Sequence, residues 1–116
     1  MPDPAGPLRA HIRTLQAQRR SLESKLMQPQ SMLPASLMER FLRAAGSSRA
    51  APAYYLSRSV QGRSKLTYVK QEELAVVRQH CAAYRAFQQN LQEWRRVTAA
   101  LQQRWKQLLQ AQSQSR

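Results

Sequence analysis

The sequence has few of the residues that build covalent, metal-bound or catalytic centres. Its only cysteine is Cys81, which excludes an intramolecular disulfide and a zinc site built from cysteines. The two histidines and six acidic residues form no metal-binding motif, and there is no glycine-rich phosphate loop. We therefore expect no metal, no cofactor, no catalytic residue and no small-molecule substrate, and we predict that the protein is not an enzyme.

Long hydrophobic runs are also missing. No stretch approaches the roughly 20 apolar residues that cross a bilayer. The N-terminal residues lack the charged and apolar regions of a secretory signal. We expect no membrane partner and a cytoplasmic location.

Acidic residues are scarce relative to basic ones. The chain has 6 Asp and Glu against 19 Lys and Arg, which gives a formal net charge of +13. Such an excess is typical of proteins with a polyanionic partner. The length of 116 residues favours one small domain without room for a large active-site cavity. Length and charge together indicate a binding protein.

Glycine and proline are absent after Gly62, so neither residue interrupts a helix in the second half of the chain. Apolar residues recur there every three or four positions from about Gln71 to Gln112. This spacing predicts one helix of about 40 residues, which is about 60 Å long. Such a helix is longer than the diameter of a small domain, so we expect part of it to pack on the N-terminal helix or on another chain.

A first amphipathic helix of roughly 20 residues is predicted from apolar residues that alternate in steps of four and three: Leu8, Ile12, Leu15, Leu22 and Leu26. Arg19 occupies the remaining position of this stripe. It either fixes the register as a buried polar group or marks a frayed seam. We predict that the N-terminal and C-terminal helices form an antiparallel coiled-coil-like pair.

The middle of the chain changes periodicity. Ser36 and Glu39 form a capping box, which predicts a short helix that ends at Gly46. Residues 53–69 then alternate around the turn dipeptide Gln61-Gly62, which predicts a β-hairpin. Alternation also predicts the apolar residues of one core-facing side: Tyr54, Leu56, Val60, Leu66 and Tyr68. Because Arg58 falls on that side too, the hairpin must bulge or Arg58 must lie at its uncovered edge.

The predicted fold is therefore mainly α with one β-hairpin. We expect a flexible leader over residues 1–7 and a single helical domain over 8–112. The hairpin is inserted at 53–69, and a disordered tail follows at 113–116.

Several short segments resemble a family of small prokaryotic proteins of unknown function. They are Ala35–Arg40, Tyr54–Arg58, Gly62-Arg63, Tyr68-Val69 and Tyr84–Phe87. The resemblance covers roughly residues 35 to 110, and it implies a short helix, a tyrosine-rich hairpin, a long C-terminal helix and a mobile-element setting beside transposase genes. Many members carry a cysteine-rich loop before the hairpin, whereas residues 44–52 hold no cysteine here, so a metal-binding role of that loop is lost. The family has no established activity to carry over.

The hairpin is the densest unopposed block of positive charge, with four basic residues and no acidic residue between positions 51 and 70. Cations neutralise phosphates, and nearby tyrosines contact sugars or bases. A second basic surface is predicted on the long helix. The candidate nucleic-acid-binding residues are Arg58, Arg63, Lys65, Lys70, Tyr55, Arg95 and Arg96. The same charges could instead protect the hairpin edges from aggregation or form a solvated face.

The long helix also carries candidate residues for a protein interface, because aromatic anchors on amphipathic helices often bind partners. These are Trp94, Trp105 and Leu108. Two functions stay open. One is a non-enzymatic nucleic-acid-binding accessory protein, a subunit of a mobile-element or RNA-guided nucleoprotein complex that binds DNA or RNA. The other is a helical adaptor that joins proteins, or copies of itself, through its C-terminal helix.

Overall fold

The computed structural model describes residues 3–43 and 50–114. In chain order, one long helix precedes and another follows three strands that form an antiparallel sheet. The elements in chain order are α1 (Gly6–Leu26), β1 (Ser36–Arg43), β2 (Ala50–Val60), β3 (Arg63–Val69), a short 3₁₀ helix (Gln71–Glu73) and α2 (Leu74–Gln114). The helices hold 21 and 41 of the 116 residues, so the prediction of a mainly helical chain is confirmed.

The contacts divide the chain into two compact units. The helical unit contains Met1–Pro29 and Phe87–Arg116, and the sheet unit contains Gln30–Ala86. The helix α2 contributes its first turns to the sheet unit and its remaining turns to the helical unit. This division by contacts does not decide the domain organisation, and the single domain over residues 8–112 stays a prediction.

The core of the helical unit lies between α1 and the C-terminal part of α2. It is built from Ile12, Leu15, Val97, Leu101 and Leu108, each at most 7% exposed. These residues belong to the two predicted apolar stripes, whose spacing of three and four places them on one side of each helix. The predicted packing of the two helices is therefore confirmed, and α1 covers the C-terminal rather than the N-terminal part of α2.

A polar cluster ties the two helices together beside this core. The indole Nε1 of Trp94 donates a hydrogen bond to Oε1 of Glu23 over 2.9 Å. The Nε of Arg19 lies 3.6 Å from the same oxygen. Arg19 is neither buried nor part of a frayed seam, because its side chain is 37% exposed and α1 continues to Leu26.

The first turn of α1 begins two residues before the predicted Leu8. Asp3 accepts a hydrogen bond from the Ala5 N–H over 3.0 Å and pairs with Arg9. The bond from Arg9 is the main reason that the pKa of Asp3 is lowered from its ordinary value of 3.8. The stabilisation from this pairing is present above the ordinary pKa and is lost as the pH falls through the lowered one.

The short helix predicted after Ser36 is wrong, because Ser36–Arg43 forms the strand β1. A helix of so few residues is marginal by itself. A two-stranded hairpin is also marginal, and β1 pairs along its whole length with the edge of β2 that faces away from β3. Sheet pairing thus overrides the capping signal. The predicted end of that helix at Gly46 lies outside the described residues.

The predicted turn at Gln61-Gly62 is confirmed, with φ angles of 52° and 79°. Two positive φ angles in a two-residue loop give the turn whose twist matches a hairpin. The turn places Val60 opposite Arg63, so even-numbered residues of β2 lie opposite odd-numbered residues of β3.

This register corrects the predicted faces of the hairpin. Leu66 lies opposite Ser57 and Tyr68 lies opposite Tyr55. Opposite residues share a face, so Leu66 and Tyr68 do not share one with Tyr54. The pairing is continuous from Tyr54 to Val60 without a bulge, and Arg58 lies exposed at one end of its face.

One face of the sheet is covered within the sheet unit. The Arg78 guanidinium carbon of α2 lies 5.5 Å from the centre of the Tyr54 ring, and Val69, opposite Tyr54, is 4% exposed. The chain before β1 is held by a hydrogen bond of 3.1 Å from the Leu33 N–H to the His80 carbonyl. The first turns of α2 therefore pack on this face, which we call the covered face.

The turn makes a testable prediction about stability. A Cβ at Gly62 would meet no atom within 4 Å, so Gly62→Ala lowers the free energy of unfolding only through its positive φ, by about 1–2 kcal/mol. The control is Gly6→Ala in the first turn of α1, where a Cβ makes an ordinary contact of 3.7 Å with Asp3. That variant is expected to keep or raise stability in urea unfolding. Equal effects of the two variants would contradict the assigned turn.

Candidate nucleic-acid interface

Three of the predicted nucleic-acid-binding residues meet at the turn end of the hairpin. Arg58 lies directly opposite Lys65, and Arg63 lies opposite Val60, two residues further toward the turn. Because residues at alternate positions point to the same side, all three cations lie on one face of the sheet. Each is exposed. We call Arg58, Arg63 and Lys65 the cationic tip.

The positive charge of the cationic tip is not neutralised within the described residues. None of its three side chains forms an ion pair with a carboxylate in residues 3–43 and 50–114. Glu39, on the same face, lies opposite Tyr54 and accepts a hydrogen bond of 3.5 Å from its hydroxyl. Like charges directly opposite each other destabilise an antiparallel pair. The tip is therefore an arrangement that an anion would stabilise.

Lys70 has a different electrostatic surrounding. It is exposed and directly follows β3, and its carbonyl accepts a hydrogen bond of 3.0 Å from the Glu73 N–H. Glu72 and Glu73 lie in the 3₁₀ helix that starts with Gln71. Two acidic residues so near in sequence lower the local net positive charge, so we expect Lys70 to be a weaker anion contact than the cationic tip.

Tyr55 lies on the face opposite to the cationic tip. Its ring centre is 5.7 Å from that of Tyr68, with the planes inclined by 70°. The Arg40 guanidinium carbon lies 5.7 Å from the Tyr55 ring centre, and Met38 is opposite Tyr55 on β1. Among the described side chains of this face, the larger ones that carry a ring, an apolar group or a charge are Met38, Arg40, Tyr55, Leu66 and Tyr68, and we call it the tyrosine face.

Arg40 and Tyr68 are not among the site residues predicted from the sequence. Arg40 lies in the segment predicted as a short helix, and Tyr68 is predicted on the core side of the hairpin. Interpreting residues 36–43 as a third strand, with side chains that alternate between the two faces, places Arg40 on a face of the sheet. The turn dipeptide at Gln61-Gly62, counted outward, would have placed Tyr68 opposite Tyr55.

The predicted basic residues Arg95 and Arg96 belong to the helical unit. Both are exposed, and Nη1 of Arg96 lies 3.2 Å from Oε2 of Glu93. Arg95 forms no ion pair within the described residues. The structure therefore offers Arg95 as a second cationic position, separate from the hairpin.

The three predicted interface residues differ in exposure. Leu108 is 5% exposed and Trp94 is partly buried against Glu23, so both make contacts within the helical unit. Trp105 is 45% exposed, and Leu109, one helical turn further, is 60% exposed. Trp105 and Leu109 are the residues of this region whose apolar surface is open to a partner.

Cys81 lies in a setting that disfavours the reactive thiolate. Its side chain is buried, and this desolvation raises the pKa of the thiol, although the nearby Arg85 acts in the opposite direction. Within residues 3–43 and 50–114, no three His, Cys, Asp or Glu side chains gather into a group that could hold a metal ion. Neither helix in this part of the chain combines the length and hydrophobicity needed to cross a membrane.

No family model, curated protein or solved structure matches this chain. The resemblance to small prokaryotic proteins beside transposase genes stays a prediction. Function is therefore argued from the residues of the cationic tip and the tyrosine face.

The repulsion within the cationic tip is testable without a ligand. Lys65→Gln removes the charge opposite Arg58, and Lys65→Glu replaces it with an attractive one. We expect the free energy of unfolding at low salt to rise in the order wild type, Lys65→Gln, Lys65→Glu, in steps of about 0.2–1 kcal/mol. The differences should shrink in 1 M salt, where the Debye length is only about 3 Å. A Lys65→Glu variant less stable than Lys65→Gln would show that Arg58 and Lys65 are not opposite.

Proposed function

We propose that this protein is a non-enzymatic nucleic-acid-binding accessory protein that contacts the phosphate backbone through its cationic tip. One observation carries the proposal: the register gathers Arg58, Arg63 and Lys65 on one face without an ion-pair partner in the described residues. A polyanion relieves the repulsion among these cations and releases its own condensed counterions when it binds.

The net charge supports a nucleic acid over an isolated anion. A formal charge of +13 on 116 residues creates a long-range attraction for any polyanion. Beyond the pair of Ser36 and Ser57 the hairpin continues as two strands only, so the end of the sheet that carries the cationic tip has no third strand beside it. Arg95 adds a further cation on α2. We propose a cytoplasmic role within a mobile-element or RNA-guided nucleoprotein complex, for which the family resemblance is the support.

The competing interpretation is that the hairpin charges only keep a sheet edge from pairing with other chains. Edge protection accounts for charge on the outer strand β3, and also for charge at Arg58, because β1 ends opposite Ser57 and leaves β2 without a second neighbour from Arg58 onward. It does not require two cations to lie directly opposite each other, which destabilises the pair, and this placement of Arg58 and Lys65 supports a ligand.

The test replaces Arg58, Arg63 and Lys65 with Gln. Each lost phosphate contact lowers the slope of log affinity against log salt by roughly 0.7–0.9, so the triple variant should bind DNA and RNA more weakly and flatten the slope by about 2–3. Fluorescence anisotropy over a salt series measures both quantities.

A matched control separates local contacts from total charge. Arg13, Arg20 and Lys25 of α1 are exposed and form no ion pair in the described residues. Replacing these three with Gln removes the same charge and should change the slope much less. Equal losses in both triple variants would mean that net charge, rather than the cationic tip, drives binding.

The second candidate function, a helical adaptor, is favoured by one observation. Trp105 and Leu109 are exposed on one side of α2, four residues apart, which is the spacing by which a helix presents an apolar pair to another helix. Such a pair joins copies of this chain or a different protein.

Self-association through this pair predicts a concentration-dependent mass in light scattering. Replacing Trp105 and Leu109 with Gln should then give a monomer, whereas Val76→Gln, at another exposed apolar position of α2 (52%), should not. A wild-type protein that stays monomeric at high concentration would leave the adaptor function dependent on a different protein and would argue against self-assembly.

A further inference from the structure

The tyrosine face carries a row of apolar and aromatic side chains, on the side of the sheet opposite to the cationic tip. Met38, Tyr55 and Tyr68 lie directly opposite one another on β1, β2 and β3, so their side chains form one line across the sheet. Tyr68, at the outer strand, is 61% exposed. A large ring is thus held at the surface of the sheet.

The neighbouring side chains fix this row in place. Tyr55 is contacted by Arg40 on one side and by Tyr68 on the other, both at 5.7 Å. The inclined arrangement of the two rings is one of the favourable geometries for aromatic pairs. Tyr55 therefore acts as a support, and Tyr68 is the ring with open surface.

The charged residues of this face favour an anionic partner. Its described residues include the cation Arg40 and no carboxylate, since Glu39 lies on the covered face beside Tyr54. Lys65 of the cationic tip lies three residues before Tyr68 on the same strand, which is about 10 Å along the backbone. A polyanionic strand that passes around the edge of the sheet at β3 can therefore contact the ring of Tyr68 on one face and the ammonium group of Lys65 on the other.

The combination of an exposed ring and nearby cations fits single-stranded nucleic acid. Every base has a π face that can stack on tyrosine, and stacking tolerates any sequence. In a duplex those π faces are already covered by the neighbouring base pairs, so Tyr68 can reach them only when the bases are unstacked. Arg40 and the cationic tip would contact the phosphates of the same strand.

We infer that the nucleic acid bound by this protein is single-stranded and that one of its bases stacks on Tyr68. This inference rests on the proposed function, because it assigns the form of nucleic acid that the cationic tip holds. It adds a contact that does not depend on salt, since stacking releases no counterions.

The test compares three probes on the wild-type protein: a single-stranded 12-nucleotide DNA, the same strand with every base replaced by an abasic residue, and the duplex. Loss of one stacked base should weaken binding about 5- to 140-fold. The abasic strand should bind more weakly than the normal strand by that factor, with the same salt slope. The duplex should also bind more weakly than the normal strand.

Variants assign the effect to Tyr68. Tyr68→Ala should lose the same factor on the normal strand and nothing on the abasic strand, whereas Tyr68→Phe keeps the ring and should bind within about twofold of wild type. Leu66→Ala is the control, because Leu66 is an exposed apolar residue of the same face without a π system (43%). It should change binding little. The comparison of probes on the wild-type protein holds even if an alanine variant fails to fold.

The outcomes separate this inference from the proposed function. Equal binding of the normal and abasic strands, with a salt slope that the triple glutamine variant flattens, overturns stacking and leaves the phosphate contacts standing. Binding of the duplex as tightly as the single strand also overturns it. Failure of the wild-type protein to bind any of the three probes at low salt overturns the proposed function itself.

Discussion

The two-residue turn at Gln61-Gly62 is the constraint on which the arrangement of the sheet depends. Two consecutive positive φ angles close the hairpin so that Val60 faces Arg63. Every later pair follows from that one, because side chains alternate strictly between faces. A slip by one residue would exchange the faces of all β3 side chains. The turn thus determines the register in which Arg58 pairs with Lys65 and Tyr55 pairs with Tyr68.

The resulting sheet separates two kinds of chemistry. Arg58, Arg63 and Lys65 lie on the same face as Tyr54, beyond the part that α2 covers, and the exposed Tyr68 lies on the other face with Arg40. The cationic tip destabilises the hairpin in the free protein, since like charges lie opposite each other. Under the proposed function, this cost is an example of the trade-off between stability and activity that functional sites often show.

Much of the fold could be predicted from the sequence, because long periodic segments carry a strong signal. Both helices, the packing of their apolar stripes and the turn at Gln61-Gly62 are confirmed. The strand β1 could not be predicted from local pattern, since Ser36 and Glu39 imitate a helix start and the strand forms only through pairing with a distant segment. The predicted faces of the hairpin are wrong because alternation within each strand does not determine which residues pair across the turn. The observed register places Tyr68 on the tyrosine face, whereas Arg40 lies in the segment whose local pattern favours a helix.

The most direct test of this account is the register of the hairpin in solution, measured by nuclear Overhauser effects between backbone protons of β2 and β3. We predict contacts that join Arg58 to Lys65 and Tyr55 to Tyr68. These contacts would place the three cations of the tip on one face and the two tyrosines on the other. Contacts that join Leu56 to Leu66 and Tyr54 to Tyr68 would instead show a pairing shifted by one residue, and they would contradict both the cationic tip and the tyrosine face.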